Sequence, residues 1–264
     1  MSRATPMLVA RYLIDGAVHV GRVEGDEFVR LDGYPWLGGR ETGARDRRAM
    51  ARLLAPVAPG KIVCVGLNYR SHIAESASVA PGAAPREEPM LFLKPPSAVI
   101  ASGEAIRLPP GVTRMDPEAE MAVVIGRRAR RVAAADALAH VAGVTAFDDV
   151  SARNYQKTDG QWARAKGFDT FAPLGPWIAV GLDPRGLRVE CRVNGAVRQR
   201  GDTADLLFDV PWLVSFVSSI MTLEPGDVLA TGTPAGVAPV VPGDRVEVEV
   251  EGVGVLENPV EAGP

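Results

Sequence analysis

The feature that most constrains this chain is how often its apolar pattern is interrupted. Its 264 residues include 28 glycines and 22 prolines, and they break the sequence into short runs that favour strands over long helices. Residues 7–32 read LVARYLI, AVHVGRV and EFVRL, separated by DG and EGDE turns, which predicts a small antiparallel meander. A looser stretch from Gly33 to Pro59 follows, with one helix expected around ARDRRAMARLLA. From Lys61 the run IVCVGL has the pattern of a buried strand and opens the main domain. The expected division is therefore a small β-rich N-terminal domain, residues 1–57, and a larger domain, residues 58–264.

Within the larger domain, SASVAPGAAPREEP (76–89) predicts a long exposed loop of the kind that serves as a lid. DALAHVAG predicts a short helix, VTAFDDVS a strand and VPWLVSFVSSIM (210–221) an apolar helix. GDRVEVEVEGVG sets Val246, Val248 and Val250 against Glu247, Glu249 and Glu251, a strand with one wet face. The fold class expected is α+β, strongly weighted to strands.

Charge and composition narrow the function. A formal net charge of −3 offers no basic face for nucleic acid. The N-terminus lacks the roughly 7–15-residue apolar run of a signal peptide, and no stretch reaches the ~18 apolar residues of a membrane span, so a cytoplasmic protein is expected. The two cysteines, Cys64 and Cys191, lie in strand-like runs and read as reduced core residues. With three histidines in all, a His/Cys zinc cage is disfavoured.

The most unusual stretch is MDPEAEMAVVIG, which places Asp116, Glu118 and Glu120 at alternate positions before an apolar strand. Residues two apart in a strand share a face, so Glu118 and Glu120 project together and repel unless a positive charge intervenes. By itself the spacing allows either a solvated strand end or a site. A second acidic pair, Asp148-Asp149, ends another apolar run, and oxygen ligands from two strands without Cys or His suit a hard cation, Mg²⁺, Mn²⁺ or Ca²⁺. GLNYRSHIAE places His72 and Glu75 three apart, so that in a helical turn the carboxylate can orient the imidazole as a general base. His19 and His140 sit in ordinary strand and helix patterns. Arg153, Arg164 and Lys166 could bind carboxylates, and ATGTPAGV (230–237) offers hydroxyls and backbone N–H groups as an anion nest or a tight turn.

In order, GLNYRSHIAE, FLKPPSAV, MDPEAEMAVVIG, FDDVSARNYQ, WARAKGFDTFAPLGPWI, VNGAVRQ and MTLEPGDVLATGTPAGV resemble the fumarylacetoacetate hydrolase family from about Lys61 to Asn258. The resemblance implies a mixed β-sandwich roll behind a small N-terminal domain, assembled as a homodimer. It implies a metal, Mg²⁺ or Mn²⁺, on Glu118, Glu120 and Asp149, with Asp149 chosen over Asp148 because it directly precedes the VSAR pattern. It also implies catalytic roles for His72, Glu75 and Lys166, and substrate contacts from Arg153, Gln156, Thr233 and Lys94. Asn154 stands where the family commonly has Asp, which puts local hydrogen bonding in question. The activity implied is hydrolysis of a C–C bond in a small 2,4-dioxo acid of acylpyruvate or fumarylpyruvate type. The alternative is isomerisation, decarboxylation or oxaloacetate tautomerisation on the same metal-enolate chemistry. A non-catalytic Ca²⁺-binding protein is the third reading, and His72, Glu75 and Lys166 argue against it because ion storage requires none of them.

Overall fold

The computed structural model describes residues 5–73 and 87–264. Among these residues the chain forms a twelve-stranded mixed sheet, a five-stranded sheet and one two-stranded ribbon, with short helices at the edges. The large sheet begins in the N-terminal meander. Strands Glu41–Arg47, Glu27–Leu31, Ala17–Glu24 and Met7–Ile14 follow in order, and Met7–Ile14 pairs with Ala172–Val180 of the larger domain. The sheet continues through Val141–Asp148, Ala119–Ile125, Val228–Ala230, Ile62–Gly66 and Met90–Lys94.

One expectation is overturned in the N-terminal segment. The helix predicted around ARDRRAMARLLA is the strand Glu41–Arg47, a 3-10 turn Arg48–Met50 and the strand Arg52–Leu54. The Ala- and Arg-rich composition favours a helix locally, but cross-strand partners outweigh that propensity. Arg45 pairs with Glu27 at 3.0 Å, and Asp46 receives Arg30 at 2.7 Å and the Tyr12 hydroxyl at 2.7 Å.

The smaller sheet, Ala196–Asp202, Arg188–Val193, Arg245–Val250, Gly254–Ala262 and Ile106–Leu108, lies over the large one. Val246, Val248 and Val250 enter the shared core with Val189, Cys191, Met121, Val123 and Ile125, as the alternation predicts. Ala122 and Val124, on the opposite side of Ala119–Ile125, pack into a second cluster with Ile62, Cys64, Phe147 and Leu174. That strand is therefore buried on both faces, which explains its unbroken apolar run.

The helix Val210–Ile220 forms where expected. Asp209 caps it by accepting the Trp212 N–H at 2.9 Å, an interaction that contributes about 1 kcal/mol. Its buried Val210, Leu213, Val214 and Val217 follow i, i+3, i+4, i+7 spacing. The helix expected in DALAHVAG is the 3-10 segment Ala134–His140. Both cysteines are free and buried, and burial pushes the Cys64 thiol well up. No helix among the described residues is long and apolar enough to cross a membrane.

Candidate active site

The acidic residues meet because their strands are in register. Ala119 lies opposite Asp148 and Glu120 opposite Phe147, so both acidic ends fall at one edge of the sheet. Two further bonds hold that edge: the Glu118 N–H donates to Asp148 Oδ1 at 2.8 Å, and the Asp149 N–H to the Glu118 carbonyl at 2.9 Å. By period two, Glu118 and Glu120 continue the face of Ala122 and Val124, and they emerge where that core stops. Glu118, Glu120 and Asp149 are all buried, and their carboxylate oxygens lie within 4.8 Å of one another.

The charges around this triad are arranged unevenly. Lys166, buried in the short helix Ala163–Lys166, donates to Glu118 Oε2 at 2.7 Å and to Asp149 Oδ2, and lies 4.9 Å from the Phe92 ring centroid. Arg153 donates to Glu118 Oε1 at 2.5 Å, to Asp116 Oδ2 at 2.8 Å and to Gln156 at 2.8 Å. Burial disfavours the Glu118 anion, but Arg153 and then Lys166 outweigh it and hold the carboxyl well below the usual range. Burial also opposes the Lys166 charge, yet Asp149 and Glu118 raise its pKa above the ordinary lysine value.

Glu120 differs. It accepts a hydrogen bond from the Gly232 N–H at 2.7 Å. Burial, reinforced by Asp149 and Glu118, pushes it well above the usual carboxylate range. Three clustered carboxylates, one without a cationic side chain in ion-pair contact among the described residues, form an all-oxygen donor set. That set fits a hard divalent cation.

ATGTPAGV turns out to serve the protein's own acid. After the strand Val228–Ala230, Thr231 continues beside Met121, Gly232 donates to Glu120, and the Thr233 hydroxyl donates to the Ala119 carbonyl at 2.8 Å. Gly232 adopts φ +100°, and a Cβ there would lie 2.9 Å from the Asn68 Cβ, so glycine alone fits.

Of the residues singled out from sequence, His72, Glu118, Glu120, Asp149, Arg153, Gln156, Lys166 and Thr233 line one cavity of about 600 Å³. Glu75 and most of the 76–89 loop lie outside the described residues. Lys94 is not in the cavity lining. Its ammonium sits behind Asp149, donating to Oδ1 at 2.6 Å and to the Val150 carbonyl at 3.0 Å, so it holds the acid in place. Arg164 pairs with Asp159 and stacks on Tyr155, away from the cavity lining. Asn154 bonds the Thr113 N–H and the Gly111 carbonyl, so it ties the helix Arg153–Thr158 to a neighbouring loop.

Sequence reasoning missed two side chains. Buried Gln199, from the smaller sheet, accepts the Ala119 N–H at 3.0 Å and donates to Thr233 Oγ1 at 2.7 Å and the Pro234 carbonyl at 2.8 Å. It thereby fixes the residue between Glu118 and Glu120. Its motif, VNGAVRQ, was visible, but nothing local marks which of its residues turns inward. Buried Asn68 joins the loop before His72 to Phe208 and to the Thr231 carbonyl, the latter at 2.8 Å.

The chain is similar to several known proteins. The fumarylacetoacetate hydrolase C-terminal family matches residues 61–261, and a family described as Rv2993c-like, N-terminal, matches residues 7–56. The chain is 43% identical over 226 residues to a mitochondrial oxaloacetate tautomerase of Bos taurus, covering 81% of this chain and 70% of that protein. A 5-carboxymethyl-2-hydroxymuconate delta-isomerase from Mycobacterium smegmatis superposes with a TM-score of 0.91 at 42% identity, over 97% of this chain and 100% of that one. A maleylpyruvate hydrolase from Sphingobium sp. SYK-6, solved with manganese(II) and pyruvate, gives a TM-score of 0.79 at 32% identity, over 98% and 100% of the two chains.

Proposed function

The chain belongs to the fumarylacetoacetate hydrolase family, and from that premise we propose that it hydrolyses a C–C bond of a 2,4-dioxo acid, releasing pyruvate and a carboxylic acid. The observation that carries this reading is that His72 and the buried carboxylate triad line the same cavity. Glu118, Glu120 and Asp149 would hold a divalent cation, magnesium or manganese, which in such a site polarises a 2-oxo carboxylate and favours its enolate.

The remaining steps fall to the chain's own groups. Lys166, fixed between Glu118 and Asp149, places positive charge where the substrate's anionic end enters. Arg153 and Gln156 orient that end. His72, which the sequence pairs with Glu75, takes a proton from water as the water oxygen adds to the C4 carbonyl. The C3–C4 bond then breaks, C4 leaves as the carboxylate, and C3 receives a proton from His72 to complete pyruvate. Phe92 and Trp162 on the cavity wall limit bulk water around these transfers.

A second reading is favoured by the identity to the bovine tautomerase. Here His72 moves a proton between C3 and the C2 oxygen of oxaloacetate, and no C–C bond breaks. One assay separates the two. Purified protein with Mg²⁺ is mixed with acetylpyruvate, fumarylpyruvate and oxaloacetate while enol absorbance and products are followed. Pyruvate plus an acid from the dioxo substrates supports hydrolysis. Faster enol decay of oxaloacetate alone, without new products, supports the tautomerase, and no change with any of the three overturns both. The homodimer and the cytoplasmic location belong to the same proposal, and light scattering tests the first.

A further inference from the structure

Resting on the reading of Glu118, Glu120 and Asp149 as cation ligands and of His72 as the proton carrier, we propose that Asn68 is a positioning residue whose carboxamide sets where His72 stands relative to the triad. The need for such a link follows from the topology. Strand Ile62–Gly66 runs parallel to Val228–Ala230, with Cys64 opposite Ala230, so both strands leave the sheet at the same end. One exit leads to His72 and the other to Gly232, whose N–H donates to Glu120. Parallel neighbours share no tight turn at their ends, so other contacts must join the two exits.

Asn68 makes that join. Its Nδ2 donates to the Thr231 carbonyl at 2.8 Å and to the Phe208 carbonyl at 3.0 Å, while its Oδ1 accepts the Phe208 N–H at 2.8 Å. Its own carbonyl accepts the Leu207 N–H at 2.7 Å. The residue is fully buried, and both amide donors and the acceptor are in use. The bonds of the next two residues end elsewhere, the Arg70 guanidinium on the Leu206 carbonyl at 3.3 Å and the Ser71 N–H on the Asp205 carboxylate at 3.2 Å. Leu67, just before Asn68 and on the cavity wall, is held at φ +55°, a left-handed conformation that a leucine keeps only where its surroundings impose it. His72 lies four residues beyond Asn68, in a turn closed by the Ile73 N–H donating to the Tyr69 carbonyl at 3.0 Å.

The two sides of the link depend on it unequally. Thr231 is fixed without Asn68, because its N–H and its hydroxyl both donate to the Met121 carbonyl, at 3.1 and 2.7 Å. Loss of the carboxamide therefore leaves Gly232 and Glu120 in place and frees the His72 side to drift from them. A small drift is enough, since a catalytic group misplaced by about 1 Å costs roughly 10²-fold in rate.

Relaxation of the His72 ring protons by trace Mn²⁺ in the full chain reads that separation, because the effect falls steeply with distance from the ion. The chain has three histidines, so His72→Ala assigns the signal, and His19 and His140, which do not line the cavity, serve as internal references. In Asn68→Ala, Mn²⁺ affinity by electron paramagnetic resonance should be unchanged and the excess relaxation of His72 should fall severalfold. Turnover of acetylpyruvate or oxaloacetate should lose about 10²-fold in kcat with little change in KM. Asn68→Asp keeps an oxygen for the Phe208 N–H but loses the donor to Thr231; it should behave alike, and it carries the test if Asn68→Ala does not fold. Unchanged His72 relaxation in the variants, or Mn²⁺ affinity lost in step with it, overturns the proposal whatever happens to thermal stability. If His72 of the unaltered protein is relaxed no more than His19 and His140, the reading of one joint site fails and the proposal with it. If neither substrate turns over while the relaxation falls as expected, the assigned reaction fails and the positioning role stands.

Discussion

Replacing Glu120 by Gln separates a metal ligand from an ordinary buried charge. Glu120 lies within 4.8 Å of two other carboxylates. While the carboxyl is ionised, a like charge at that distance costs up to about 3 kcal/mol at an effective dielectric of about 20, and Lys166 and the raised pKa of Glu120 each offset part of it. Gln removes that repulsion and keeps an oxygen for the Gly232 N–H, at a cost of about 1 kcal/mol because the bond is no longer charge-assisted. In chelator, Glu120→Gln should therefore be as stable as the unaltered protein or more stable by about 1–2 kcal/mol, whereas most buried substitutions destabilise. With cation the order reverses. At a hundred times its dissociation constant a bound ion adds about 2.7 kcal/mol, which in a chain of this length raises Tm by roughly 5–10 °C. A hundredfold weaker site leaves only about 1 °C of that rise. Thermal unfolding followed by circular dichroism, with EDTA and with Mg²⁺ or Mn²⁺, gives both numbers. A full cation-dependent rise in Glu120→Gln, or a Tm several degrees low in chelator, would refute the reasoning.

Gln199→Leu strands the Ala119 N–H and two partners on the Thr233 loop, so denaturant unfolding should show a loss of about 2–4 kcal/mol, with weaker Mn²⁺ binding by electron paramagnetic resonance. Gly232→Ala combines a positive φ with a contact against Asn68, and should cost about 1–3 kcal/mol while displacing the Glu120 donor, again read by Mn²⁺ titration. Asp46→Asn tests the N-terminal sheet. The Arg30 hydrogen bond first, then that of Tyr12, hold the Asp46 carboxyl below the usual range against burial. A lowered folded-state pKa stabilises above the unfolded value and loses that stability as pH falls through the folded one. The variant should therefore lose about 1–2 kcal/mol at neutral pH and less as the solution is acidified below the ordinary carboxylate pKa, measured by urea unfolding across pH.

Much of the candidate site could be read from the sequence because its signals are local. Glu118 and Glu120 share a strand face by period two, and His72 follows a strand exit. Other features depend on distant partners. The resemblance implies a substrate contact for Lys94, but local sequence does not show that its ammonium donates to Asp149 Oδ1. Thr233 reads as part of an anion nest or a tight turn, and only the fold shows that its hydroxyl donates to the Ala119 carbonyl and accepts from Gln199, a residue of the other sheet. The missed strand Glu41–Arg47 has the same cause: Arg45 and Asp46 find partners across the sheet that outweigh helix propensity. The alternation of Val246, Val248 and Val250 carried through unchanged, because period-two burial needs no knowledge of the partner sheet.

The central claim is that the carboxylate triad and His72 form one cation-dependent site for a 2-oxo acid. Its most direct test is product analysis of 2,4-dioxoheptanedioate incubated with the purified chain, first stripped with EDTA and then supplied with Mg²⁺ or Mn²⁺. Pyruvate and succinate in equal amounts, absent after chelation, restored by the ion and absent in His72→Ala, is the expected result. Turnover indifferent to chelator, or no pyruvate with either ion present, would contradict it.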